Sequence, residues 1–250
     1  MLTIIGAGVE DHEDITIKGL HALQKADTIY IESYTSVLQE KLESLEKSWK
    51  VKMTPAYRED IEGKNNKIIE KSKTENVALL IIGDPLTATT HTDILLRARK
   101  EGIKTRIIHN TGIITLVGET GLQLYKFGKT TSIPFDEKGT GTAYNIIAQN
   151  QSIKAHTLIL LDLDPLNNKY LEIPAALQRL LIEEKKHKKR IILLTTKIVV
   201  CERLGTKTQK IYYETIEKVL GEKYGKPPHC IIIPTTLHFM EEEYLNSAES

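Results

Sequence analysis

Cysteine is nearly missing. The 250 residues contain only Cys201 and Cys230, one closing the apolar run IVVC and the other opening CIII. A reduced thiol in such a run packs as a small hydrophobe, so a disulfide-stapled secreted scaffold is excluded and a reducing, cytoplasmic setting is expected. No apolar stretch reaches the roughly 18 residues a membrane-spanning helix needs. The N-terminal MLTIIGAGVED enters a strand-like run without a basic flank, so neither a signal peptide nor a membrane role is expected. Segments rich in Pro, Gly or Ser are also absent, and hydrophobic residues at 40% with charged residues at 27% are ordinary for an ordered globular protein.

Excess charge of one sign is missing as well: 34 Lys and Arg against 33 Asp and Glu leave a formal net charge of +1. A basic face large enough for nucleic acid would need an acidic face to offset it, so nucleic acid is not an expected partner. The basic run KKHKKR falls where a helix should end, a place where cations complement the macrodipole. Several catalytic signatures are lacking too. No cysteine pair stands at ligand spacing and no His-Glu-x-x-His helix occurs, so no metal is expected. Neither a Gly-x-Ser-x-Gly elbow nor a P-loop occurs, which removes the hydrolase and nucleotidase readings.

What the chain does have is alternation. Short β-branched runs (LTIIGAG, DTIYIE, VALLIIGDP, KTRIIHN, HTLILLDLD, KIVVCERLG and HCIIIPT) are separated by amphipathic stretches of helical length. That is the signature of an α/β fold with mostly parallel sheets. Helices are predicted at ITIKGLHALQKA, THTDILLRARKEG, GIITLVGETGLQLY, IPAALQRLLIEEKKHKK and ETIEKVLGEKYG, the last ending at Gly225 before two prolines. The first four strands form a unit ending near residue 110, which predicts two domains, 1–112 and 113–250.

Polar residues cluster where strands end. Gly6, Ala7 and Gly8 suggest a dinucleotide turn, but the third glycine of that fingerprint is replaced by Asp11. Glu10, Asp11, Glu13 and Asp14 crowd the same turn. A pyrophosphate would be repelled there, whereas a phosphate-free, cationic cofactor such as S-adenosylmethionine (SAM) would not. Taken alone, the plainer reading is a tight turn with capping carboxylates. The run IIGDPLTATTHTD places Asp84 before Pro85 at a strand exit, followed by four threonines and His91, enough donors and acceptors to fix a ribose or an amino-acid end. IIHNTGII brings Gly112 to the start of a helix, where another molecule can approach the backbone. LILLDLDP and VVCERLGT are further polar exits, and PPH sets His229 at a strand start, where a lone histidine is more often structural.

Read as whole strings, IIGAGVEDHEDITIKGLHALQKADTIYIESYTS, GDPLTATTHTDILLRAR, IHNTGI, GLQLYKFGKTTSIPF, HTLILLDLD, ERLGT and GKPPHCIIIPTTLHFMEEEYL resemble the diphthine synthases over nearly the whole chain. The Gly-x-Gly strand and GDP alone would point only to the wider tetrapyrrole-methylase superfamily. The resemblance implies a two-domain α/β fold, usually in a homodimer, with SAM in the interdomain cleft. It implies transfer of methyl groups to the aminocarboxypropyl-histidine intermediate of translation elongation factor 2, with S-adenosylhomocysteine as by-product. Carried over by motif, SAM contacts are expected from Val9, Asp84, Thr87, Gly112, Ile113, Leu161, Leu204 and His229. Asp84 would anchor an amino or ribose group, and His229 would meet the adenosine. In two places the chain departs from the family pattern: GTGTAY stands where a Trp-x-Pro-x-Ser-Tyr stretch is usual, and DPLNNKYLEIP lacks the family's lysine- and glutamate-rich pattern. The eukaryotic form adds four methyls and the archaeal form three, and IHNTGI and GLQLYKFG are closer to the eukaryotic strings, so four are expected. Two rivals share the cofactor: a tetrapyrrole methyltransferase, for whose polycarboxylate substrate no basic loop is visible, and a noncatalytic SAM-binding module that docks on the elongation factor.

Overall fold

Runs such as LTIIG and VALLI are buried at every position, the pattern of strands covered by helices on both faces, and both lie inside the first sheet. In the computed structural model the described residues are 1–37, 39–63 and 66–247. They divide into two units, Met1–Leu116 and Val117–Ser250, whereas the sequence reading put the break after Gly112.

The first unit runs β1 (Leu2–Gly6), α1 (Ile17–Gln24), β2 (Thr28–Glu32), α2 (Leu42–Trp49), β3 (Thr54–Ala56), α3 (Arg58–Glu62), α4 (Lys67–Ser72), β4 (Val77–Ile81), α5 (Thr92–Lys100), β5 (Thr105–Ile108) and α6 (Ile113–Leu116). Its sheet has the order β3-β2-β4-β1-β5, and every pairing is parallel. One face is buried by Leu2, Ile4, Leu79 and Ile81, the other by Ile5, Ile29, Ile31 and Leu80. From β1 the chain crosses toward β2, while from β4 it crosses the opposite way toward β5. The adjacent exits of β1 and β4 therefore form a topological switch point, where parallel sheets bind their ligands.

The second unit comprises β6 (Thr131–Ile133), α7 (Thr140–Ser152), β7 (Thr157–Leu161), β8 (Leu163–Asp164), β9 (Lys169–Tyr170), α8 (Ile173–His187), β10 (Lys197–Glu202), β11 (Lys210–Thr215), α9 (Ile216–Gly221), β12 (His229–Ile233) and α10 (Phe239–Ser247). The main sheet is ordered β11-β10-β12-β7-β6, over a core that includes Ile133, Tyr144, Leu177, Val200 and Ile231.

The expectation of mostly parallel sheets holds for the first unit. In the second, only β6 and β7 run parallel, and β7-β12, β12-β10 and β10-β11 are antiparallel. The unpredicted strand β11 accounts for part of this, because its KIYYET is only half-buried and offered no continuous apolar run. The helix predicted at GIITLVGETGLQLY is a single turn, α6, followed by short 3₁₀ turns. Gly121 adopts φ +79°, which ends any helix there. GTGTAY opens α7, where Ala143 and Tyr144 are buried in the core. DPLNNKY forms the β8–β9 hairpin.

Candidate functional site

Three exits of the first sheet are knitted together by hydrogen bonds that the backbone imposes. Gly8 and Gly83 form an antiparallel bridge, with the Gly83 N–H donating to the Gly8 carbonyl at 2.7 Å. Asp14 Oδ2 accepts the backbone N–H groups of Val9 (2.8 Å) and Glu10 (2.7 Å), closing the glycine turn from within. The Asn110 side-chain amide donates to the carbonyls of Gly6 (3.1 Å) and Asp14 (3.0 Å), tying the β5 exit to the β1 exit. A Cβ on Gly6 would stand 2.6 Å from the Gly83 carbonyl oxygen, so the approach of these loops requires glycine there.

Asp84 organises the remaining exit. Its Oδ1 accepts the Leu86 N–H (2.9 Å) and the Thr87 hydroxyl (3.2 Å), and its Oδ2 accepts from His109 Nδ1 (2.9 Å) and the Asn110 N–H (3.1 Å). Burial works to raise its pKa, but these four donors outweigh burial and hold the carboxyl below its ordinary value. The four acceptor positions of the carboxylate are thus filled from within the chain. His109, whose side chain is 64% exposed, is the partner a ligand could most readily displace. Val9, Thr87, Gly112 and Ile113 belong to these same loops, and a Cβ on Gly112 would meet Thr87 at 3.0 Å.

In the second unit, Leu161, Leu204 and His229 gather at one end of the main sheet. His229 pairs with Glu202 in the antiparallel register. The neighbouring pair Cys230↔Leu160 puts Leu161 at the same level. Asp162, one residue past β7, accepts the N–H groups of Phe135 (2.9 Å) and Leu163 (3.0 Å). Leu204 is held between Arg203 (φ +45°) and Gly205 (φ +85°). Arg203 bonds the Glu202 carboxylate (3.1 Å), the Thr208 carbonyl (2.8 Å) and the Lys226 carbonyl. His229 Nε2 donates to the Gly225 carbonyl (3.0 Å), and burial pushes the ring's pKa down. The ring is therefore neutral and keeps Nδ1 as an acceptor.

Sequence reasoning named the loops but missed Asn110 and the part played by Asp14. Asn110 was legible only as the residue before Thr-Gly at a strand end. Asp14 was one of four carboxylates, and nothing in their spacing singled it out. Among the described residues no cluster of three or more His, Cys, Asp or Glu could hold a metal ion, and no helix is long and apolar enough to cross a membrane.

The exits of β1, β4 and β5 are rich in acceptors and carboxylates and carry no lysine or arginine. Such a donor set fits a cationic, phosphate-free cofactor and is hostile to a nucleotide phosphate. Comparison with known proteins agrees. The family described as Tetrapyrrole (Corrin/Porphyrin) Methylases matches residues 1–220. A diphthine synthase of Methanococcus vannielii is 41% identical over 248 residues, covering 98% of this chain and 97% of its own. One from Methanocaldococcus jannaschii is 42% identical, with the same coverage. A crystal structure of diphthine synthase superposes with a TM-score of 0.88 at 36% identity, covering 98% of this chain and 94% of that one.

Proposed function

The chain belongs to the tetrapyrrole (corrin/porphyrin) methylase family, and we propose that it acts within that family as a diphthine synthase on translation elongation factor 2. It is a SAM-dependent methyltransferase of diphthamide biosynthesis. The observation that carries the reading is the switch point of the first sheet, where glycine-packed loops present carboxylates and backbone groups without a phosphate-binding cation. Val9, Asp84, Thr87, Gly112 and Ile113 in the first unit, and Leu161, Leu204 and His229 in the second, are the proposed cofactor contacts. Most would act through backbone groups or apolar walls, and His229 would offer Nδ1 as an acceptor. The proposed enzyme works in the cytoplasm as a homodimer.

When bound, SAM supplies an electrophilic methyl group on a sulfonium. The acceptor is an α-type amine with a pKa of about 7.7–8.0, so a useful neutral fraction exists near pH 7. The loops then need only hold the lone pair in line with the methyl group and exclude water, which is a matter of positioning. No side chain is assigned as general base.

Asp84→Ala removes the acceptor for four donors and leaves the Leu86 and Asn110 N–H groups unpaired. We expect SAM binding to weaken by about 1.5–3 kcal/mol, the range for hydrogen bonds to charged groups. Calorimetry on a folded mutant that retained full affinity would remove Asp84 from the site.

An amine accepts three methyls before its lone pair is exhausted, and a fourth can go only to oxygen, the substrate's own carboxylate being nearest. We propose four methyls, ending in a methyl ester. The second reading, three methyls, is favoured by the archaeal relatives, whose name ends at diphthine. Elongation factor 2 bearing the unmethylated intermediate, incubated with excess SAM and followed by intact mass, separates the two. A plateau at three methyls with no base-labile ester would leave the three-methyl activity, and no methyl transfer at all would overturn the assignment.

A further inference from the structure

Glu32 ends β2 with its side chain fully enclosed, and its carboxylate has only the side chain and backbone of Thr35 in loose hydrogen-bonding reach, with no close partner for either oxygen. Nε2 of His91 has no hydrogen-bond partner, and it lies buried 3.8 Å from Glu32 Oε1. Unpaired polar atoms rarely persist inside proteins, and an unpartnered imidazole nitrogen beside an enclosed carboxylate calls for an explanation.

The other imidazole nitrogen fixes the count of protons. Nδ1 lies 3.0 Å from the Pro85 carbonyl, which can only accept. The Thr89 hydroxyl donates to that same carbonyl (3.3 Å) and accepts the backbone N–H of His91 (3.1 Å). Nδ1 is therefore the N–H, shared between Pro85 and Thr89 Oγ1 (2.8 Å). In the neutral ring Nε2 then turns a lone pair toward Glu32. An ionised carboxylate opposite that lone pair would be repelled, and a single added proton turns the repulsion into attraction that can draw the pair in from 3.8 Å to hydrogen-bond distance.

We propose that Glu32 and His91 share one proton, and that this proton fixes the 85–91 loop in its cofactor-binding arrangement, making the two side chains positioning residues for methyl transfer. The proposal rests on the reading of Asp84 and Thr87 as part of a SAM site. The mechanical link is short: His91 grips the Pro85 carbonyl, and Pro85 lies between Asp84 and Leu86, whose N–H bonds the Asp84 carboxylate.

The surroundings set the direction of the response. Burial pushes the Glu32 carboxyl up to about 7, Glu62 adds to the shift, and Thr35 and Arg58 oppose it. Tyr34 bonds Glu62 (3.1 Å), Arg58 pairs with Glu62 (3.3 Å), and Thr90 reaches Glu62 at 3.5 Å, so α3 and both loops contribute to the local charge. Burial pushes His91 down, opposed by the Pro85 carbonyl and Glu62. Below about pH 7 the proton therefore sits on Glu32, facing Nε2. It is lost as pH rises through about 7.

The test is SAM affinity measured by calorimetry on the full chain between about pH 6 and 9. In the natural protein, affinity should be steady below pH 7 and fall by up to about tenfold per unit above it, the limit for one linked proton. Glu32→Gln keeps an N–H for Nε2 at every pH, so its profile should be flat and its affinity above pH 8 should exceed that of the natural protein. A purely structural role would instead weaken binding equally at all pH values. ¹³C spectra of labelled glutamate should show one carboxyl titrating near pH 7 that is absent in Glu32→Gln and displaced in His91→Asn. ¹⁵N spectra should show the Nδ1-protonated ring. Parallel pH profiles for the natural protein and Glu32→Gln, or no carboxyl titrating near 7, would overturn the proposal. If SAM bound at no pH, the cofactor reading would fail instead, and the spectra would still decide whether the proton is shared.

Discussion

Replacing Glu241 by alanine is expected to destabilise the second unit by about 3–5 kcal/mol, the range for removing one partner of a buried ion pair. The Glu241 carboxylate is fully enclosed and gathers four donors. Oε1 accepts from the Gln123 N–H (2.9 Å) and His156 Nε2 (3.2 Å), and Oε2 accepts from the His238 N–H (2.7 Å) and the Lys126 ammonium. His156 Nδ1 in turn accepts the Thr235 N–H (3.0 Å), which makes Nε2 the ring's donor. One carboxylate thus fastens α10 to the 123–126 segment and to the residue before β7. Burial acts to raise its pKa, but Lys126 and the other donors prevail and bring it to about 2 from an ordinary 4.5.

The sign of the pH response follows from that shift. A carboxyl with a depressed folded-state pKa contributes stability that is fully present above its unfolded value and is lost as pH falls through the folded one. The window is therefore about pH 4.5 down to 2. The shift corresponds to about 3 kcal/mol at one unit per 1.36 kcal/mol, in keeping with the expected cost of the substitution. Urea unfolding at pH 7 should show the loss in Glu241→Ala, and the acid-induced decline between pH 4.5 and 2 should be shallower in the mutant. Equal stability of the two proteins at pH 7 would mean that the four donors find other partners.

This network marks a limit of what the sequence could disclose. EEEYL offers three successive glutamates, and helix α10 has little amphipathic contrast, so nothing in the string singles out Glu241. Its donors lie 85 to 118 residues away in GLQLYKFG and HTLIL, apart from His238, and only the fold brings them together. Local signals did better at the first sheet. LTIIG, TIYIE and VALLI were legible as strands because they are short runs dominated by apolar and β-branched residues, and GDP and HNTG because polar residues abruptly follow such runs. The half-buried β11 and the three-residue β3 and β6 have no such contrast. Asp84 was legible as a polar residue at a strand exit, but its saturation by four internal donors was not, because His109 and Asn110 reach it from a different strand exit. The Glu32–His91 contact escaped for the same reason, joining IES to TTHT across the sheet.

The closing of the β1 turn leads to the second large expected effect, that of Gly8→Ala. Gly8 sits at φ +84°, where an L side chain costs about 1–2 kcal/mol. Its added Cβ would also lie 2.2 Å from the Asp14 Cβ, a separation no real structure tolerates. Asp14 must then withdraw from the Val9 and Glu10 N–H groups, and each such bond to a charged acceptor is worth about 1.5–3 kcal/mol. With partial relaxation, a total loss of roughly 3 kcal/mol or more is expected. Two companion substitutions separate the contributions. Gly102 has φ +71° but nothing within 4 Å of its would-be Cβ, so Gly102→Ala isolates backbone strain and should leave SAM affinity unchanged. Gly6→Ala isolates the lack of space, since its Cβ would meet the Gly83 carbonyl oxygen at 2.6 Å. Urea unfolding should rank Gly8→Ala as more costly than Gly102→Ala, and calorimetry should show SAM affinity reduced in Gly8→Ala and Gly6→Ala alone. If Gly8→Ala proved no more damaging than Gly102→Ala, the Asp14 closure would not be what shapes the turn. The carboxylates around it would then return to the plainer role of solvated helix-end charges.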